Sequence, residues 1–200
     1  MSILYDKPHL LKAGPAREFQ SSAGVTSLLN KHFRITTLRY LEEPVLNHVT
    51  DSLMLDKEQL HHSYNDYSFL TAPAYKAFEG FLFQLAKDLK LPSSGKPELV
   101  GTYYFDEQKV DGAIDALLDE LEKAGTGSTA LSSAEKDNIK DNVKEMKRFL
   151  RNYRHTPAHF HGEPMISREK SLQNILSMYR IIDETVAVLQ NAKLIPTSTS

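Results

Sequence analysis

The stretch SREKSLQNILSMYRIIDETVAVLQN (residues 167–191) carries its apolar side chains at Leu172, Ile175, Leu176, Tyr179, Ile182, Val186 and Leu189. Steps of three and four keep these positions on one face of an α-helix, whereas a strand would alternate at every second residue. With Ser167 as N-cap, the spacing predicts a helix over 167–191. Two other stretches read the same way. Tyr75, Phe78, Leu82, Leu85 and Leu89, with Phe81 and Phe83 widening the stripe, predict a helix over 72–89, with Pro73 in its first turn and LPSSGKP behind it. Ile139, Val143, Met146, Phe149, Leu150 and Tyr153 predict a third over 133–153, opened by a capping box that pairs Ser132 or Ser133 with Glu135 or its neighbour. Three long helices, each apolar along one side, imply an all-α bundle.

The rest of the chain is less regular. Residues 91–134 read as an insert between the first two long helices, with a short helix in VDGAIDALLDELEKAG (110–125), a polar GTGSTALSS tract and a short strand in ELVGTYYF (98–105). Residues 1–66 read as an N-terminal arm: a loose first twenty residues, then short helices over 25–29, 37–52 (interrupted by Pro44) and 57–64. The bundle itself occupies 67–200.

Composition narrows the function classes. Of 200 residues, 40% are hydrophobic and 25% charged, which is ordinary usage for a globular chain. No apolar run approaches the roughly 18 residues of a membrane span, and the N-terminus lacks the apolar core of a signal peptide, so the expectation is a cytoplasmic protein. With no cysteine, thiolate metal sites, disulfides and cysteine nucleophiles are excluded. The net charge is −2, yet residues 140–170 hold eight Lys/Arg against four Asp/Glu. Such a local basic segment fits docking of a polyanion or an acidic partner, or a solvated helix face with ordinary ion pairs.

Within that segment, RFLRNYRHTPAHFHGE (148–163) collects Arg148, Arg151 and Arg154 with three of the eight histidines, His155, His159 and His161. Pro157 stops the preceding helix from running through, which leaves the histidines in a turn. Four residues separate Arg154 from His159 and six separate it from His161. This pair suits attack of a ribose 2'-hydroxyl on its neighbouring phosphate. A histidine exchanges protons near neutral pH, and an arginine fork stabilises charge on the phosphate oxygens. The H-x3-H-x-H spacing also resembles a metal-ligand set, but Pro157 spoils the helical geometry and no carboxylate is suitably spaced, so no metal or other cofactor is expected. Lys147, Arg148 and Arg151 read as groups for substrate phosphates.

The sequence RHTPAH (154–159), within LRNYRHTPAHF and together with AYKAFEGFL (74–82), resembles the motif of HEPN ribonucleases, and in particular the HEPN domain of RnlA/LsoA toxins of the RNase LS type. The likeness covers 67–191 in helix order. It implies a HEPN-like up-and-down bundle acting as a metal-independent endoribonuclease toxin, within a toxin–antitoxin or anti-phage defence system. It also implies a homodimer whose two motifs form one composite site, an RNA substrate and a cognate antitoxin. Residue by residue, Arg154 matches the motif arginine, His155 its polar second position and His159 the catalytic histidine, while His161 satisfies the same spacing and stays an alternative. Glu79 matches an acidic residue on the first long helix. Lying among Phe78, Phe81, Leu82 and Phe83, Glu79 is costly to bury alone, which makes it either a structural ion pair or a group orienting Arg154 or His159. The alternative function is a catalytically inactive helical module that binds RNA or an acidic protein.

Overall fold

Periodic apolar stripes become helices where caps and breakers allow. The computed structural model describes residues 23–58, 63–89, 131–153 and 167–197. These form α1 (Ala23–His32), α2 (Ile35–Tyr40), α3 (Glu43–Glu58), a 3-10 turn (Ser68–Thr71), α4 (Ala72–Asp88), α5 (Ser133–Tyr153) and α6 (Arg168–Asn191), an all-helical bundle with no strand among the described residues. The three long helices match the stripes read from the sequence within one residue at each end. The short helix and strand expected in the 91–134 insert, and the loose first twenty residues, lie outside the described residues.

Local chemistry sets the ends. Ser132 and Glu135 complete a reciprocal capping box on α5. The Glu135 carboxylate accepts from the Ser132 N–H (2.8 Å) and hydroxyl (2.6 Å), and the Glu135 N–H donates back to Ser132 Oγ (3.3 Å). Ser167 Oγ accepts the Lys170 N–H at 3.2 Å and caps α6. Beyond Asn191 the chain closes with Leu194 N–H on Leu189 C=O (2.9 Å) and Lys193 N–H on Gln190 C=O (3.0 Å), and Lys193 takes the left-handed position (φ 57°) that such a stop requires.

Two expectations in the N-terminal third need correcting. The helix expected over 37–52 is two helices, because Pro44 has no N–H to give an interior turn and is tolerated only at a helix start. The chain breaks at Leu41 and Glu42, and Pro44 falls in the first turn of α3. The helix expected over 57–64 does not reach its expected end: Lys57 and Glu58 belong to the last turn of α3, Ser63 and Tyr64 are not helical, and 59–62 lie outside the described residues.

Packing proceeds in pairs. α3 lies antiparallel along α4, with Glu42 before its start meeting Gln84 and Lys87 near the end of α4, and α5 antiparallel along α6, with Asn142 meeting Thr185 and Glu145 meeting Arg180. At the α3–α4 crossing, a Cβ on Gly80 would stand 3.2 Å from Val45 Cγ2, so a glycine lets the two helices approach. From the 3-10 turn, α4 and α6 run in the same direction, starting beside the Tyr67 carbonyl that Ser171 Oγ donates to at 2.8 Å. One core results, formed by Leu29, Phe33, Tyr40, Val45 and Val49 of the first three helices with Phe78, Phe81, Leu82, Met146, Phe149, Tyr179 and Ile182 of the others. Two residues assigned to the stripes face outward. Phe83 is 50% and Leu176 47% exposed. Phe83 lies two positions, about 200° of helix turn, from the buried Phe81.

The break between α2 and α3 exposes backbone inside the core, and one side chain repairs it. Gln84 of α4 donates through Nε2 to the Tyr40 C=O (2.7 Å) and accepts the Glu42 N–H on Oε1 (3.0 Å). Beside it, Tyr40 donates its hydroxyl to Asp88 at 2.8 Å; burial first, then this bond, pushes the Tyr40 phenol up, so it stays neutral. Asp183 of α6 accepts the Arg34 N–H (2.8 Å) and the buried Thr37 hydroxyl (2.6 Å) at the start of α2.

Candidate functional site

Residues 154–166, which connect the end of α5 to the start of α6, hold Arg154, His155, His159 and His161, and all four lie outside the described residues. The ends of that connection are described. α5 arrives with Phe149 buried against α4, its ring 5.4 Å from Phe78 and 6.5 Å from Tyr75 by centroids. α6 leaves with Ser171 held on the Tyr67 carbonyl. Next to that carbonyl, Tyr64, Tyr67 and Phe69 pack on one another, Tyr64 meeting Phe69 at 5.0 Å with rings at 72°. The segment thus springs from the end of the bundle where α4 begins and aromatic rings join the helices.

Glu79 lies midway along α4. The side chain is exposed, on the outer stripe of α4 with Lys76 and Phe83, one position round from Phe78. No burial penalty has to be met, and among the described residues no ion pair holds it. Arg154 and His159, which Glu79 would orient, and the Arg151 side chain lie outside the described residues.

The basic residues of α5 divide. Lys147 and Arg151 are on the helix, and their side chains lie outside the described residues. Arg148 is exposed, with Nη2 3.7 Å from Glu145 Oε1, and Lys144 sits 3.6 Å from Asp141. The solvated-face reading anticipated pairs four residues apart; both of these contacts join residues three apart and lie beyond hydrogen-bond reach. The sequence reading missed the partner that crosses helices. Arg180 of α6 donates Nη2 to Glu145 Oε1 and Nη1 to Glu184 Oε2 (2.9 Å), and the two carboxylates push its guanidinium further up. A four-residue spacing makes the Glu184 bond legible in the sequence, but the Glu145 bond joins residues 35 apart and has no local signature.

Among the described residues no group of three His, Asp or Glu side chains is arranged to hold a metal ion, and no helix is long and apolar enough to cross a membrane. No protein-family model, curated protein or solved structure matches the chain.

Proposed function

We propose that this chain is a metal-independent endoribonuclease, a HEPN-like toxin of a toxin–antitoxin or phage-defence system acting in the cytoplasm. One observation carries the reading: the segment with Arg154, His159 and His161 is the connection between two antiparallel helices, and the basic charge of residues 140–170 gathers around it. A histidine in such a connection takes the proton from a ribose 2'-hydroxyl, and the arginine stabilises the charge that builds on the phosphate. As the 2'-oxygen bonds to phosphorus the P–O5' bond breaks, the leaving 5'-oxygen takes a proton from the imidazolium or from water, and the products are a 2',3'-cyclic phosphate and a 5'-hydroxyl. A single arginine and histidine make a sparse site, so two copies about a two-fold axis are proposed to join their motifs in one cleft. A cognate antitoxin protein would hold the toxin in check.

The test is cleavage of RNA by purified chain in EDTA. Activity should persist without divalent metal and vanish on a substrate lacking the 2'-hydroxyl. His159→Ala and Arg154→Ala should each lower the rate by about two to four powers of ten with the melting temperature unchanged. His155→Ala should matter less, and a dead His161→Ala beside an active His159→Ala would move the base to His161. Glu79→Gln lowers the rate only if Glu79 orients the pair. Light scattering showing a fully active monomer would remove the composite site. Tight RNA or acidic-protein binding with no cleavage would replace the nuclease by a binding module.

A further inference from the structure

The outer seam between α5 and α6 places one carboxylate oxygen between two arginines. Glu145 Oε1 is bonded by Arg180 from α6 and is only approached, from 3.7 Å, by Arg148 on its own helix. That separation is beyond hydrogen-bond reach. Arg180 has both arms engaged, the second on Glu184. The Arg148 side chain is 73% exposed against 24% for Glu145. The charge of Glu145 is thus answered across the helix pair, and Arg148, with five N–H donors, keeps its fork for another anion. Along α5, Arg148 precedes the last helical residue, Tyr153, by about 7 to 8 Å at 1.5 Å rise per residue, so an anion held there lies close to where the Arg154-bearing segment begins.

We propose that this seam is a phosphate-binding strip for single-stranded RNA, in which Arg148 takes a backbone phosphate and Arg180 is a positioning residue that keeps Glu145 from competing for it. The identity of the anion rests on the ribonuclease reading above; the geometry of the strip does not. Without Arg180, Glu145 would turn to Arg148 as an ordinary three-residue helix pair, and a phosphate would have to displace it. Without Glu145, both arginines would face solvent and the strip would gain positive charge. A network that only staples α5 to α6 gives no gain for Glu145, since removing it would loosen the pair and bring nothing to the RNA.

Binding of the full chain to a single-stranded 2'-O-methyl oligonucleotide, followed by anisotropy across a salt series, separates these outcomes, because the capped hydroxyl prevents cleavage. Arg148→Ala should weaken binding and lower the salt slope by about one. Arg180→Ala should weaken it by about two- to five-fold, the worth of an exposed ion pair, and Glu145→Gln should tighten it by about as much. The double variant Arg180→Ala/Glu145→Gln should bind at least as tightly as the unaltered chain. Melting curves of the same variants report any loss of folding. If Glu145→Gln binds no tighter, or the double variant stays weak, the strip is overturned even where the chain cuts RNA. If the signs hold but ordinary RNA is not cut, the strip stands and the nuclease reading falls. Failure of the unaltered chain to bind the oligonucleotide overturns the strip.

Discussion

At one end of the bundle α2, α3, α4 and α6 are joined by hydrogen bonds to backbone and carboxylate, through Gln84, Asp183 and the Tyr40–Asp88 pair. At the other end rings join α4 to α5, Phe149 on Phe78 and Tyr75, and Tyr64 packs on Phe69 within the turn before α4. The first end contains a chain break in the core, where unpaired amide groups are expensive, so directional bonds have to be there. At the second end the α4–α5 contact has no chain break and is decided by shape, while the Ser171 hydroxyl on the Tyr67 carbonyl holds α6. This end is also where the proposed catalytic segment leaves and returns, so a phenylalanine there supports the site while a glutamine at the far end supports only the fold.

Phe149→Ala should give the largest loss of stability, about 3 to 5 kcal/mol as a shift in urea unfolding, because it empties a fully packed aromatic position. It should also lower RNA cleavage beyond what the folded fraction explains, since it loosens the end of α5. Equal loss of activity from Phe149→Ala and from a far-end variant of matched stability would break the contrast.

Gln84→Ala should follow, at about 2 to 4 kcal/mol, from leaving the Tyr40 carbonyl and the Glu42 amide buried without partners. Its folded fraction should keep full activity. Because Gln84 serves two backbone groups at once, Gln84→Glu, which cannot donate to the carbonyl when ionised, should recover only part of the loss.

The smallest effect concerns the α5 capping box, which belongs to neither end. The Ser132 hydroxyl and amide hold the Glu135 carboxyl below its ordinary value of 4.5. A carboxyl lowered on folding contributes stability that is present above that ordinary value and is lost as the pH falls through its lower folded value. The stability gap between the unaltered chain and Glu135→Ala should therefore be constant near neutrality and shrink in acid. A gap that persists in acid would mean the box acts through packing and not through charge.

The sequence by itself determined the three long helices, since a stripe repeated every three or four residues over five turns has no other good conformation, and it placed the caps at Ser167 and at Ser132 or Ser133 because capping is a matter of four consecutive positions. It also carried the Arg154 and His159 spacing, a one-dimensional property. The tertiary structure alone decided the rest. Whether Phe83 or Leu176 is core or surface depends on where neighbouring helices lie, and a stripe widened by one apolar residue looks the same either way. The role of Gln84 depends on a chain break 42 residues away, and that of Arg180 on an acid 35 residues away. Periodicity reports only what a residue does within its own helix. Long-range polar partners are chosen by the docking of one helix on another, and this docking turned an ordinary glutamine into a buried clamp and a surface arginine into the partner of Glu145.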